Sequence, residues 1–409
     1  MTYVLLVLLT LVCGGLLTWG LQKKQRMLHY PFLSGAVFAG WVLPQLLGLS
    51  TNPDSFPHEA LDKTIFMTLL CVGACYVGHY LNKKPFSKFH WSFNRQRLLI
   101  AATLLSLGGS YFFYRVSALA DETVGLWTGI ITIFVFLSSL LSIGLALSLA
   151  IHIRQPSRWS TAIIIFDVAF YLHRIVFWGR RRFLVELVLM IGLALWFRYR
   201  KLPPRLMVIA ALIAGALWIN SIGDYRAAVM SDTPGKVNAI NQIDFVGNLQ
   251  NLLTEGGHEM ANATYNIAAF DSRGNFDLGV SHWNRFVHLY IPGQLIGFDT
   301  KESIKIQIND SASELFYHEA HTGSTATGIS DSFQSFWYFG AIKFLIISYI
   351  MRSFFRAGNQ GHFLAQVLLM LVFPGSLEAI THNTDRFFML WPRLIAFLGP
   401  AILYSKVKN

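Results

Sequence analysis

Apolar residues gather into eleven runs along the chain, at about 2–21, 31–49, 63–81, 98–118, 124–152, 160–178, 183–198, 204–222, 332–353, 361–377 and 388–404. Roughly 20 apolar residues cross a bilayer as a helix, so each run predicts one membrane span. No basic residue precedes the first run, so it reads as a true span and not as a cleaved signal segment. Between runs eight and nine the pattern changes for about 109 residues, 223–331, which are rich in Asn, Ser and Gly with aromatics throughout. Within this stretch "QIDFVGNLQNLL" and "SHWNRFVHLYI" carry apolar residues at helical spacing and predict amphipathic helices. The expected fold is an all-α polytopic membrane protein of about eleven helices. It has eight spans in 1–222, a large extramembrane loop in 223–331 and three spans in 332–409.

Composition agrees with that pattern. The chain is 54% hydrophobic, with a mean hydropathy of +0.46, and only 13% charged, where a soluble protein carries roughly 25%. A soluble enzyme, a disordered scaffold and a secreted disulfide domain are excluded. The net charge of +11 reflects connectors and not nucleic-acid binding. Lys23, Lys24 and Arg26, then Lys83, Lys84, Lys88, Arg95 and Arg97, then Arg154 and Arg158, fall on one side if the spans alternate. Arg198, Arg200, Lys201 and Arg205, Arg352 and Arg356, and Lys406 and Lys408 continue that side. Excess Lys and Arg mark cytoplasmic connectors, which puts the N-terminus outside and the C-terminus inside. The large loop then lies outside, with thirteen of the 22 acidic residues and six basic ones.

One connector breaks the charge rule: "HRIVFWGRRR", with Arg174, Arg180, Arg181 and Arg182, falls on the predicted outer face. Either a span is miscounted there, or arginines are kept outside because an anionic ligand needs them. Arginine's planar fork suits phosphate oxygens. Arg273 and Arg285 of the loop, and Arg386 between the last two spans, complete the candidate anion-binding set. Asp167 lies seven residues before Arg174 on the same helix face and is a candidate counter-ion.

Other chemistries are poorly represented. Cys13, Cys71 and Cys75 all sit in apolar runs and read as packing. The loop histidines His258, His282, His288, His318 and His321 form no metal-binding spacing, and no P-loop or dinucleotide glycine pattern occurs. No metal and no cofactor is expected. A histidine can titrate near neutral pH, which leaves His321, His282 and His288 as candidate bases, with His382 a fourth.

The string "HTGSTATGISDSFQSFWYFGAIKF" resembles the bacterial oligosaccharide repeat-unit polymerases, the O-antigen polymerase (Wzy-type) family. The resemblance rests on Thr322-Gly323, Ser330, Phe336 and Phe339-Gly340; Gln334 and Tyr338 stand where the family often has glutamate and asparagine. "FWGRRRFLVELVLM" resembles the family's outer arginine, and "NRFVHLYIPGQLIGF" its arginine-bearing loop helix. The resemblance implies a metal-independent membrane glycosyltransferase of the GT-C-like type with a large periplasmic loop, in the bacterial inner membrane. It implies transfer of an undecaprenyl-pyrophosphate-linked glycan to the non-reducing end of another lipid-linked repeat. A chain-length regulator and a flippase are the implied partners, beside membrane lipids. Arg285 and Arg181 are then the leading pyrophosphate binders, followed by Arg273, Arg180, Arg386 and Arg174. His321 is the leading base, and Trp283, Tyr290 and Gln334 are candidates for contact with the glycan. Two other readings stay open: a ligase that moves the glycan to lipid A core or protein, and a lipid-linked oligosaccharide flippase.

Overall fold

In the computed structural model, described residues are 1–57, 59–82, 91–120, 130–178, 181–230, 243–274, 276–308, 315–316, 318, 325–407. Of 118–120, 130, 178, 181, 222 and 226–230 only the backbone is described. The chain is all-α, and its described residues form no strand beyond an isolated bridge between Phe93 and Lys406.

The helices are α1 (Thr2–Gln22), α2 (Tyr30–Leu49), α3 (Ala60–Leu81), α4 (Arg95–Ala120), α5 (Ile131–Arg154) and α6 (Arg158–Trp178). They continue with α7 (Arg181–Tyr199), α8 (Arg205–Met230), α9 (Phe245–Glu255), α10 (His258–Arg273), α11 (Val280–Tyr290), α12 (Gly293–Ile296) and α13 (Phe298–Ile304). Last come α14 (Gly328–Phe336), α15 (Ile342–Asn359), α16 (Phe363–Thr381), α17 (Asp385–Phe388) and α18 (Leu390–Ser405).

Among the described residues, nine helices are long and apolar enough to cross a membrane, as in a multi-pass membrane protein. Runs seven and eight of the sequence pattern are helical as α7 and α8 but fall outside these nine. Arg182, Glu186 and Arg198 bracket a short apolar stretch in α7, and among the described residues the apolar stretch of α8 is Arg205–Ser221. The ninth run is also not one continuous helix. Trp337 adopts φ 55°, ψ −142°, a backbone conformation ordinarily left to glycine. It closes α14, and a tight 3-10 turn, Trp337–Ala341, leads into α15. Gly340 makes the turn possible, since a Cβ there would lie 1.8 Å from the Ser332 carbonyl oxygen.

Contacts divide the chain into two units. The first comprises Met1–Lys83, Pro203–Arg352 and Gly375–Met389. Its core includes Phe32, Phe38, Leu46, Ile65, Phe333 and Phe344, all fully buried. The helices α9 and α10 are fastened here. Gln45 Oε1 accepts from the Met260 amide at 3.2 Å, Thr51 Oγ1 donates to the Thr254 carbonyl at 2.7 Å, and Lys63 pairs with Asp271 at 2.6 Å. Gly48 lets α9 approach α2, as its Cβ would lie 2.2 Å from the Leu252 carbonyl oxygen.

The second unit comprises Lys84–Leu202, Ser353–Pro374 and Leu390–Asn409. Here α4 and α5 pack closely through Gly109 and Gly144, whose Cβ atoms would meet the Leu141 amide and the Ser106 hydroxyl within 2.3 Å. Cys13, Cys71 and Cys75, all in the first unit, are buried and unbridged.

Candidate active site

The polar residues of the first unit converge at the starts of α11, α14 and α17. Each start has a local cause. Asp277 Oδ1 accepts from the Gly279 amide at 2.8 Å and Oδ2 from the Ser281 amide at 3.2 Å, which turns the chain into α11. Gly279, at φ 92°, supplies the left-handed step of that turn. Thr327 caps α14, accepting at its hydroxyl from the Ser330 amide at 3.3 Å. Gly328 then allows α14 to sit against the end of α16, where a Cβ would lie 1.8 Å from the Ala379 carbonyl oxygen. Two backbone bonds set α11 against α14: Asp277 N–H to Gln334 O at 3.0 Å and Leu278 N–H to Ser335 O at 3.1 Å.

These junctions bring together residues far apart in sequence. Asp331, on the first turn of α14, is buried, and its Oδ2 accepts from the Thr384 amide at 3.0 Å and from the Thr384 hydroxyl. The buried Lys343 ammonium stands 3.3 Å from the same oxygen and donates to Ser335 Oγ at 2.8 Å. Thr384 Oγ1 in turn lies 2.9 Å from His282 Nε2, and Asp331 Oδ2 lies 3.8 Å from that nitrogen. Arg285, one helical turn beyond His282, pairs through Nε with Asp385 Oδ2 at 3.0 Å.

Around this network lies a cavity of about 390 Å³, lined by Ser281, His282, Asn284, Arg285, His288 and Lys305 on one side. Thr325, Ala326, Asp331, His382, Asn383, Asp385 and Arg386 complete the lining. The residues from α11 recur at helical spacing, so one face of that helix forms the wall. Two wall acceptors, Asp385 Oδ1 and Asn383 Oδ1, are buried and have no hydrogen-bond partner among the described residues. Arg285 is 41% exposed at its side chain, and its Nε stands 3.0 Å from Asp385 Oδ2 as an ion pair without hydrogen-bond geometry.

Burial holds the His282 ring below the ordinary imidazole range; the Asp331 carboxylate opposes the shift, and Lys343 adds to it. Burial also lowers His288, with help from Arg285, Lys301 and Lys305. Both rings are therefore mostly neutral near pH 7 and able to accept a proton.

Of the residues singled out from sequence, the cavity gathers His282, His288, Arg285 and Arg386, with His382 beside them. It does not gather Arg273, which is exposed on the last turn of α10. Arg174, in the second unit, is buried between the rings of Phe113 and Phe183, at 4.2 and 4.4 Å, and donates to Ser138 Oγ at 3.2 Å. Asp167 accepts from Ser106 Oγ at 2.8 Å. Trp283, Tyr290 and Gln334 do not line the cavity either. The Trp283 indole donates to the Ile304 carbonyl at 3.0 Å, the Tyr290 hydroxyl to the Met389 carbonyl, and Gln334 meets Asp277 through its backbone. His318 is taken up by Asn262, at 2.7 Å, and by stacking on Tyr265. His321 and Arg180 lie outside the described residues, as does the Arg181 side chain.

Asp331, Lys343, Thr384, Asn383 and Asp385 are the participants that sequence reasoning missed. Lys343 carried a usable signal: an ammonium inside a predicted span demands a buried partner. Compared with models of known protein families, with curated proteins and with solved structures, the chain matches none.

Proposed function

We propose that the protein is a polymerase of lipid-linked oligosaccharide repeat units, acting at the periplasmic face of the bacterial inner membrane. The reading includes eleven spans with the N-terminus outside and 223–331 in the periplasm, in a GT-C-like arrangement. One observation carries it: a single cavity brings cations that suit a diphosphate together with the imidazole of His282 and polar side chains that suit a sugar. The terminal nitrogens of Arg285, with Arg386 nearby, suit pyrophosphate oxygens. Asn383 and Asp385 line the same cavity with side chains able to accept from sugar hydroxyl groups.

In the proposed reaction the acceptor sugar's hydroxyl oxygen forms a bond to the donor's anomeric carbon. The bond from that carbon to the pyrophosphate oxygen breaks, and the electron pair leaves with the lipid pyrophosphate. Arg285 and Arg386 stabilise the developing anion, so the diphosphate is held by guanidinium groups and not by a metal ion. The hydroxyl proton passes to a neutral histidine; among the described residues His282 has the fixed geometry for this.

Purified protein given an undecaprenyl-pyrophosphate-linked repeat alone, in EDTA, should form a ladder of products on a gel. Product only after lipid A core is added would replace polymerase by ligase. No product with either acceptor would overturn glycan transfer and leave transport as the reading.

A further inference from the structure

A proton count along the network around Asp331 decides which nitrogen of His282 is the base. With Lys343 Nζ at 3.3 Å and the Thr384 amide donating at 3.0 Å, Asp331 Oδ2 is an ionised acceptor. An ionised carboxylate only accepts, so the Thr384 hydroxyl spends its one proton on Asp331. Thr384 Oγ1 must then be the acceptor in its 2.9 Å contact with His282 Nε2. His282 Nε2 therefore carries hydrogen, and in the neutral ring Nδ1 holds the lone pair. Nδ1 lies 3.5 Å from the Ser281 hydroxyl, a weak contact between two residues of the cavity wall.

From this we infer that Lys343, Asp331 and Thr384 are positioning residues that hold His282 in its Nε2–H form and leave Nδ1 as the cavity's proton acceptor. The inference rests on the glycan-transfer reading for its chemistry, but the proton arrangement stands apart from it. Each member has one task. Lys343 keeps Asp331 ionised at a buried site, Asp331 orients the Thr384 hydroxyl, and Thr384 fixes the imidazole plane. When Nδ1 takes the acceptor's proton, the imidazolium finds Asp331 Oδ2 3.8 Å from its other nitrogen. The charged groups acting on the ring are Asp331 of α14, Lys343 of α15, Asp385 of α17 and Asp277 ahead of α11. His382 shares the cavity and has a hydroxyl partner of its own, Thr381 Oγ1, 2.9 Å from its Nδ1.

The test uses the full-length protein in nanodiscs with ring-¹⁵N histidine, the His282 signals being assigned by their loss in His282→Gln. The wild type should show a slowly exchanging proton on Nε2 and an unprotonated Nδ1. Thr384→Val, which keeps the shape and the backbone amide, should lose that protected proton, and Thr384→Ser should retain it. Ladder formation should slow about tenfold in Thr384→Val, as for one lost hydrogen bond, with donor KM unchanged and the rate restored in Thr384→Ser. A proton on Nδ1 in the wild type would overturn the proposal, as would a Thr384→Val spectrum identical to wild type. Spectra that behave as expected in a protein that makes no ladder would uphold the arrangement and reject the polymerase reading.

Discussion

Arg285 in the first unit and Arg174 in the second are both arginines that the sequence offers as anion binders, and their surroundings differ. Arg285 is paired with Asp385 at 3.0 Å and lines a cavity. Arg174 is 8% exposed, with an aromatic ring on either side. The neighbouring carboxylates differ in the same sense. Asp331 receives an ammonium and two donors from Thr384, and Asp167 receives one hydroxyl while its Oδ1 has no partner among the described residues. A buried charge compensated on one side and open on the other is arranged for a ligand. A buried charge enclosed by aromatic rings is arranged for packing.

The largest expected contrast is in stability. Asp331→Ala leaves the Lys343 ammonium buried without its counter-ion, and breaking such a pair costs about 3–5 kcal/mol. Asp167→Asn preserves an acceptor for Ser106 and should cost under about 1 kcal/mol. Thermal unfolding of the two variants in detergent checks this, and equal losses would dissolve the distinction.

Next comes activity. Arg285→Lys keeps charge but not the fork, and should slow ladder formation about 10- to 150-fold, as for a charged hydrogen bond of about 1.5–3 kcal/mol. Arg174→Lys should lower Tm, through weaker contact with Phe113 and Phe183, while turnover per folded molecule stays within about threefold. A slow but stable Arg174→Lys would bring Arg174 back as a ligand contact.

The smallest effect is in pH dependence. The His282 imidazole is held below its ordinary value by burial, so the folded chain binds fewer protons than the unfolded one between that lowered value and about 6.5. Stability therefore rises with pH through this window, is constant above it, and is lost as the pH falls. Tm measured from pH 5 to 8 should follow that curve, and His282→Gln should flatten it. A Tm that climbs on acidification would reverse the sign.

What the sequence made legible is the part that depends on local pattern. Helix periodicity marks "QIDFVGNLQNLL" and "SHWNRFVHLYI", which form α9 and α11. Charge and residue type single out Arg285, Arg386, His282 and His288. The rest depends on pairings across long stretches of chain. Asp331 looks like the end of a loop, and its partner Thr384 is 53 residues away. Lys343 looks like an isolated charge until the break at Trp337 folds α14 back toward it. Arg174 and Arg273 have the same composition as Arg285, and only packing separates them. Trp283 and Tyr290 are amphipathic rings whose polar ends are used by backbone carbonyls, which aromatic content alone does not reveal.

The interruption at Trp337 also bears on how the protein is made. Chains emerge N-terminus first, so His282, Asp331 and Lys343 are synthesised before the segment that carries Thr384 and Asp385. Until 375–389 has been translated, Asp331 has Lys343 but neither donor from Thr384, and Arg285 has no carboxylate at Nε. The site is thus completed only when 375–389 arrives, after the other members have been made. A ribosome-stalled or truncated product ending before Gly375 would present the arginine helix and the buried lysine without their closing partners, a form suited to recognition by membrane quality control.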